Sequence, residues 1–480
     1  LSDLVTGAVV VAGGALLLIR TRQFQREVRR QEASARGEPG PVRRIVVVGV
    51  GFAGLTALNR LNDLVGDDPS CELLVIDRQN YHLFYPLLYQ VATGGVEPGE
   101  LAFPARIVAR ERNARFLEMN VLRVDVAQKR LETDLGPISY DCLILAPGSV
   151  TNYFGMADAM QSAFPLKSLA DGMRLRNRVI DCFEQADRET SAERRRGLLT
   201  FAIVGGGATG VELAASLGDM IFNTLLPNYP TIGPEEVRLV LIEAKGGLLA
   251  GWDPRMGEIA LRRLTGQHVE VWLNTSVAQV GADAVETVAG SNLPTATVVW
   301  TAGVRAEPLA ETLPGTRERD GRVRVTEHLE LPDQPGVFVV GDAAAIADPN
   351  TGRFVPPTAA AAIDEGAAAA ENAVRRLRGE ALQPFVYHSR GDLVSLGRAA
   401  AAANLFGLVF DGVPAWLIRR GVYLANLVGF RNRLYVMLDW AFVSFHQRVI
   451  AAFGPTAPAR PVREAVQAPP RPRTRARKAA

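Results

Sequence analysis

Apolar residues in this chain gather in runs of three kinds. The first kind is short and almost unbroken: residues 45–48 (IVVV), 73–76 (LLVI), 143–145 (LIL), 201–204 (FAIV), 237–242 (VRLVLI) and 337–340 (VFVV). Runs that are apolar at successive rather than alternate positions predict strands covered on both faces, as in a parallel sheet. The second kind occurs once. Residues 4–19 form 16 positions without a charge, followed at once by Arg20, Arg22, Arg26, Arg29 and Arg30. A bilayer span takes about 20 residues, so this run sits at the lower limit. Its positive charges follow the apolar stretch, which is the wrong order for a cleaved signal peptide. The positive-inside rule then predicts one anchor helix with an outside N-terminus and a cytoplasmic body. A buried helix and a membrane-surface helix are the rivals, and residues 31–41 read as a linker. The third kind alternates: in residues 406–453, apolar blocks are separated by Arg419, Arg420, Arg431, Arg433 and Arg448.

That last stretch holds ten of the chain's 33 aromatic residues in a tenth of its length, among them Trp416, Tyr423, Phe430, Tyr435, Trp440, Phe442 and Phe445. No block in it is long and uncharged enough to span a bilayer. Aromatic faces interspersed with arginine suit helices lying in a lipid interface. A domain core or a homodimer interface through this C-terminal region fits the same pattern.

The 480 residues, 48% hydrophobic and 22% charged, exclude a wholly disordered, collagenous or polytopic membrane chain. At the usual domain size they predict two to four domains. The net charge of +2 conceals an asymmetry, because residues 454–480 carry seven basic residues, one acid and six prolines. This tail is expected to be disordered, and either simply solvated or drawn to anionic lipid. No folded basic patch interleaved with aromatics supports nucleic-acid binding. Cys71, Cys142 and Cys182 form no CxxC or CxxxxC pair, and all three read as structural. His82, His268, His328, His388 and His446 lack metal-ligand spacing, so no metal is expected.

Candidate chemistry lies where the short runs end. The strand at 45–48 leads into Gly49, Gly51 and Gly54, a GxGxxG turn. Its first glycine permits the tight turn, its second lets a pyrophosphate approach, and its third lets helix and strand pack closely. The following helix N-terminus offers free N–H groups to phosphate. Phe52 and Ala53 belong to this turn. The strand at 73–76 ends at Asp77, followed by Arg78, close to the spacing expected of a ribose-binding carboxylate. The pattern recurs with Gly205, Gly207, Ala208, Thr209 and Gly210, and with a strand that ends at Glu243. The longer spacing there reflects an insert, residues 223–236, whose three prolines mark a loop. The run at 337–340 enters Gly341–Asp342, the GD by which two-dinucleotide flavoenzymes bring a carboxylate to the ribityl-phosphate part of FAD. The expected fold is therefore α/β, with two Rossmann-type dinucleotide-binding domains, the first for FAD and the second for a nicotinamide. Glu243 would repel a 2′-phosphate, which favours NADH over NADPH, although Lys245 nearby softens the case.

Several segments then coincide in one order. They are NYHLFYPLLYQVATGGVEPGELAFPAR (80–106), LILAPGSVTNYFG (143–155, with Ala146 and Gly148), GGGATGVELA (205–214), WTAGV (300–304, with Gly303), FVVGDAA (338–344) and the aromatic stretch ending in LYVMLDW. From about residue 42 to about residue 450 the chain closely resembles the type II, non-proton-pumping NADH dehydrogenases. The resemblance implies hydride transfer from NADH to FAD. Two electrons then pass to a quinone entering from the membrane through the C-terminal helices, at the cytoplasmic face. It also implies a role for Glu212 in the NADH and quinone pockets; a helix acid stabilised by the N-terminal dipole is the plainer alternative.

One segment departs from the family. Where an AQxAxQ motif places two quinone-site glutamines, this chain has Ala360 and Asp364, flanking Ile363. Alanine cannot hydrogen-bond a quinone carbonyl, and Asp364 could serve as a proton source or as an ordinary helix residue. A flavoreductase with a soluble or protein acceptor, or an NADH-binding redox sensor, therefore stands beside quinone reduction. The expected organisation runs in chain order. An anchor and linker (1–41) precede the first part of the FAD domain (42–155) and an inserted NADH domain (156–310). The second part of the FAD domain (311–383), a membrane-docking region (384–453) and the basic tail (454–480) follow.

Overall fold

The computed structural model describes residues 42–349, 351–445, 448 and 450–452. The anchor expected at residues 4–19 and the tail at 454–480 lie outside the described residues.

β1 (Arg43–Val48) runs through the first glycine turn into α1 (Phe52–Val65), and the chain returns as β2 (Cys71–Asp77) and later β3 (Cys142–Leu145). After α2 (Leu169–Arg188) the pattern repeats: β4 (Thr200–Val204), the second glycine turn, α3 (Ala208–Met220), β5 (Arg238–Ile242) and β6 (Thr297–Trp300). β7 (Val337–Val339) then leads to α4 (Ala359–Arg378), and α5 (Val413–Asn426) and α6 (Phe430–Phe445) close the described fold.

The strands form two five-stranded parallel sheets. The first is ordered β7, β3, β1, β2 and Arg115–Glu118. The second is ordered Phe164–Pro165, β6, β4, β5 and Val269–Trp272. All strands of the second sheet fall in the chain between β3 and β7 of the first. The unbroken apolar runs sit at the strand interiors: β4 is buried at every position, and β1 from Ile45 onward. In each sheet the strand that feeds the glycine turn is central, so both turns open at the carboxyl end of a sheet, where open α/β folds bind ligands.

α4 lies against α1, and the contact depends on Gly366. A Cβ there would come within 2.2 Å of the Ala53 carbonyl oxygen.

Two expectations need correction. The insert at 223–236 is not a plain loop, because helical turns occupy Ile221–Leu225, Leu226–Asn228 and Pro234–Glu236. Proline is compatible with the first turn of a helix, where its missing N–H has no partner to lose. The region from residue 384 is also not wholly helical. A three-stranded antiparallel sheet (Asp392–Ser395, Ala401–Leu405, Leu408–Gly412) precedes α5. Its middle strand is alanine-rich and gave no period-2 signal. Among the described residues, no helix is long and apolar enough to cross a membrane.

Candidate active site

A cleft of about 1130 Å³ lies between the carboxyl ends of the two sheets. Gly49, Gly51, Phe52, Ala53, Asp77, Arg78, Ala146, Gly148, Gly341 and Asp342 line it from the first half of the fold. Ala208, Thr209, Glu212 and Gly303 reach it from the second. Gly54 does not face the cleft, because it packs against the Gly49 carbonyl, where a Cβ would stand 1.9 Å away. Gly210 meets the Gly205 carbonyl in the same way, at 1.8 Å.

The two turns are built alike. Gly51 and Gly207 are the N-caps of α1 and α3, neither helix start has a side-chain cap, and a Cβ at either glycine would meet nothing within 4 Å. Each turn thus offers bare N–H groups beside open space, the arrangement a pyrophosphate requires. The strand acids pin the turns from behind. Val50 N–H donates to Asp77 Oδ2 (2.7 Å) and Gln79 N–H to Asp77 Oδ1 (2.8 Å). Gly206 N–H donates to Glu243 Oε2 (2.6 Å) and Lys245 N–H to Glu243 Oε1 (2.8 Å). Burial raises the pKa of Asp77 against these hydrogen bonds.

Three buried residues that the sequence reading did not single out for the site make contacts here. His82 Nδ1 lies 2.7 Å from the Val50 carbonyl oxygen, so the Val50 residue is held at both its N–H and its carbonyl; the signal was a histidine inside the 80–106 segment, close in the chain to Asp77. Burial lowers the pKa of His82, which keeps the ring neutral as a donor. Glu365 is buried beneath the GD turn and accepts the Gly341 N–H at 2.6 Å. Its pKa is pushed up to about 8, by burial first. Arg419 is the third, and it meets a residue that the sequence did single out. Glu212 is buried, and its Oε1 accepts from Arg419 Nη2 (2.7 Å) and Ser395 N–H (3.0 Å). Arg419 is itself buried, with its guanidinium 4.1 Å from the Tyr423 ring centroid. Burial raises the Glu212 pKa and the Arg419 charge opposes it. Glu212 therefore meets partners from two other parts of the fold rather than solvent.

The segment that departs from the family faces the cleft only in part. Pro357, Thr358, Ala359 and Ala362 line it, whereas Ala360, Ile363 and Asp364 do not. Asp364 pairs with Arg390 at 2.6 Å. The cause is helical phase. Ala361, Ala362, Glu365 and Gly366 make the buried face of α4, which leaves Ile363 and Asp364 on its flank.

Cys71, Cys142 and Cys182 are all buried, and burial raises each thiol pKa, that of Cys142 to about 12. Such thiols are poor nucleophiles. Among the described residues no cluster of three or more His, Cys, Asp or Glu side chains could hold a metal ion.

Residues 43–366 match the family model of the pyridine nucleotide-disulphide oxidoreductases. The chain is 35% identical over 427 residues to the type II NADH:quinone oxidoreductase Ndh of Mycobacterium tuberculosis, covering 85% of this chain and 89% of that one. It is 28% identical to the type II NADH:quinone oxidoreductase of Staphylococcus epidermidis, covering 79% of this chain and 93% of the relative. Among solved structures, NDH2 from Plasmodium falciparum in complex with NADH superposes with a TM-score of 0.77 at 18% identity, over 85% of this chain and 99% of that one. The sulfide:quinone oxidoreductase of Aquifex aeolicus gives a TM-score of 0.66 at 16% identity, over 84% of this chain and 96% of that one.

Proposed function

The chain belongs to the type II NADH:quinone oxidoreductases, FAD-dependent enzymes that oxidise NADH and reduce a quinone, and from this premise we propose how its own residues divide that work. The observation that carries the reading is that two glycine turns of the same build reach one cleft, the first through Gly49 and Gly51 and the second through Ala208 and Thr209, while Gly205, Gly207 and Glu243 lie outside its lining.

The first turn holds FAD. The N–H groups at Gly51 and the start of α1 take the pyrophosphate, Asp77 fixes the turn and faces the adenosine ribose, and Asp342 takes the ribityl side. When bound, the flavin supplies the hydride and electron chemistry. The second turn holds NADH, with Glu243 turned to the ribose that a 2′-phosphate would crowd. Glu212 and Arg419 fix the C-terminal helices against the NADH half and close the cleft floor with Tyr89 and Tyr423, so that water is excluded where the acceptor arrives. Residues 42–155 and 311–383 form the FAD domain, and residues 156–310 form the NADH domain inserted in it.

α5 and α6 dock on lipid. Phe430 is 76% exposed, Phe442 63% and Leu417 58%, while the buried faces hold Arg419 and Asn432. Exposed apolar side chains gathered on two adjacent helices mark an interaction surface. Arg420 lies over Trp416 at 3.6 Å and Arg431 over Tyr435 at 4.7 Å, a pairing suited to the lipid headgroup layer. The enzyme then sits at the cytoplasmic membrane face without pumping protons, with residues 4–19 as a second attachment. A homodimer through α5 and α6 is the competing use of that surface.

The deciding experiment is NADH oxidation by the purified protein on anionic vesicles, with and without added quinone. Quinone-dependent turnover on vesicles supports the reading. Turnover with soluble dyes alone would favour the soluble-acceptor alternative, which Ala360 and Asp364 suggested.

A further inference from the structure

One cation of the cleft has no part in the roles above. Lys167 follows the edge strand Phe164–Pro165 of the second sheet. Its backbone is fixed by Asp171, whose Oδ2 accepts from the N–H groups of Lys167 (3.1 Å) and Ser168 (2.9 Å) in the capping box that starts α2. From this anchor the side chain crosses to the other half of the fold. Its Nζ donates to Ser149 Oγ at 3.0 Å, and the Ser149 hydroxyl donates to the Asp342 carboxylate. The ammonium also lies 5.4 Å from the Tyr85 ring centroid. Lys167, Ser149, Asp342 and Tyr85 all line the cleft.

An ammonium carries three N–H donors. Ser149 takes one and the Tyr85 ring offers a weaker attraction, so donors are left that find no acceptor among the described residues. Burial lowers the ammonium's pKa, and the Asp342 carboxylate opposes this. The chain thus keeps a desolvated cation at the GD aspartate, held by a serine relay that leaves it free to meet a ligand.

We propose that Lys167 contacts bound FAD and sets its reduction potential by holding a positive charge against it. Hydride transfer from NADH brings two electrons and one proton, so the flavin gains one negative charge while NADH becomes NAD⁺. A fixed, desolvated cation favours the form with the added negative charge. The inference rests on the reading that the first turn holds FAD.

Sulfite provides the test. It adds its sulfur lone pair to oxidised flavin, forms one S–N bond and leaves the electron pair as negative charge on the ring, with no other reactant. In flavin-loaded Lys167→Met the sulfite Kd should rise at least tenfold, and the two-electron midpoint potential should fall. A tenfold change in that equilibrium corresponds to about 30 mV. Lys167→Arg should restore most of both. A flavin-loaded Lys167→Met protein with unchanged sulfite affinity and potential overturns the proposal. If Lys167→Met loses flavin, Lys167→Gln is read in the same way. Loss of FAD from both, with circular dichroism and melting temperature retained, supports the contact; unfolding of both marks Lys167 as structural and overturns it. Absence of flavin from the unmodified protein is a different result, which defeats the FAD reading itself.

Discussion

Glu365 lies one position past the residue to which the family motif pointed, and it is the carboxyl that the fold buries. Its folded pKa of about 8 stands above the ordinary 4.5. The folded protein therefore keeps a proton that the unfolded chain releases between those values. Stability falls as pH rises through that window, by at most about 1.4 kcal/mol per pH unit. Glu365→Gln retains an oxygen for the Gly341 N–H and removes the titration. Urea unfolding of the FAD-loaded protein should show the variant gaining on the unmodified protein between pH 5 and about pH 8. A pH-independent difference would show that Glu365 does not titrate there. Glu243 acts at the same scale. Glu243→Gln removes a charge that repels a 2′-phosphate, so the ratio of kcat/KM for NADH over NADPH should fall roughly tenfold, about 1.4 kcal/mol. An unmodified protein with equal kcat/KM for both nucleotides would contradict the role given to Glu243.

Helices α5 and α6 carry the prediction that belongs to the element scale. On α6 the exposed positions Phe430, Leu434, Tyr435, Met437, Leu438 and Phe442 share one side, and the buried Asn432, Val436 and Trp440 share the other. Trp440 Nε1 donates to Gln90 Oε1 at 2.8 Å, and Asn432 Nδ2 donates to the Ala102 carbonyl at 3.0 Å. The polar groups of α6 thus fix it to segment 80–106, and its apolar side is left for lipid. Burying a phenylalanine contributes roughly 1.5–3 kcal/mol. Phe430→Ser with Phe442→Ser should therefore weaken vesicle binding about 100-fold or more, measured by co-sedimentation, with NADH oxidation by a soluble dye unchanged. Undiminished vesicle binding, together with loss of a dimer in sedimentation, would transfer this face to the homodimer reading.

At the scale of the whole molecule, Glu212 and Arg419 join α3, which follows the second glycine turn, to α5, which carries the exposed face. Removing one member of a buried ion pair leaves the other uncompensated and costs about 3–5 kcal/mol. Arg419→Met should lower stability by that order in denaturant melts. Glu212→Gln combined with Arg419→Met should recover a substantial part of the loss, because no buried charge is then left alone. Equal destabilisation in the single and double variants would mean that the cost comes from packing around Tyr89 and Tyr423 rather than from charge.

The sequence by itself determined both glycine turns, the strands that feed them, the acids Asp77 and Glu243 and the GD element. Each of these depends on spacing within one strand–turn–helix unit, where backbone geometry leaves few alternatives. The family resemblance, rather than spacing, marked Glu212 just after the second turn. Only the tertiary structure decided what Glu212 meets, because Arg419 lies 207 positions away in the chain. The same holds for Ser149 and Asp342, 193 positions apart, and for Glu365, which meets Gly341 from a helix 24 positions on. Such partners are chosen by how sheets and helices pack, and a charge has no fixed value until packing sets its desolvation and its neighbours. Asp364 and Glu365 make the point at a single step along the chain. They are adjacent acids on one helix, and a rotation of about 100° places one against Arg390 and the other beneath the GD turn.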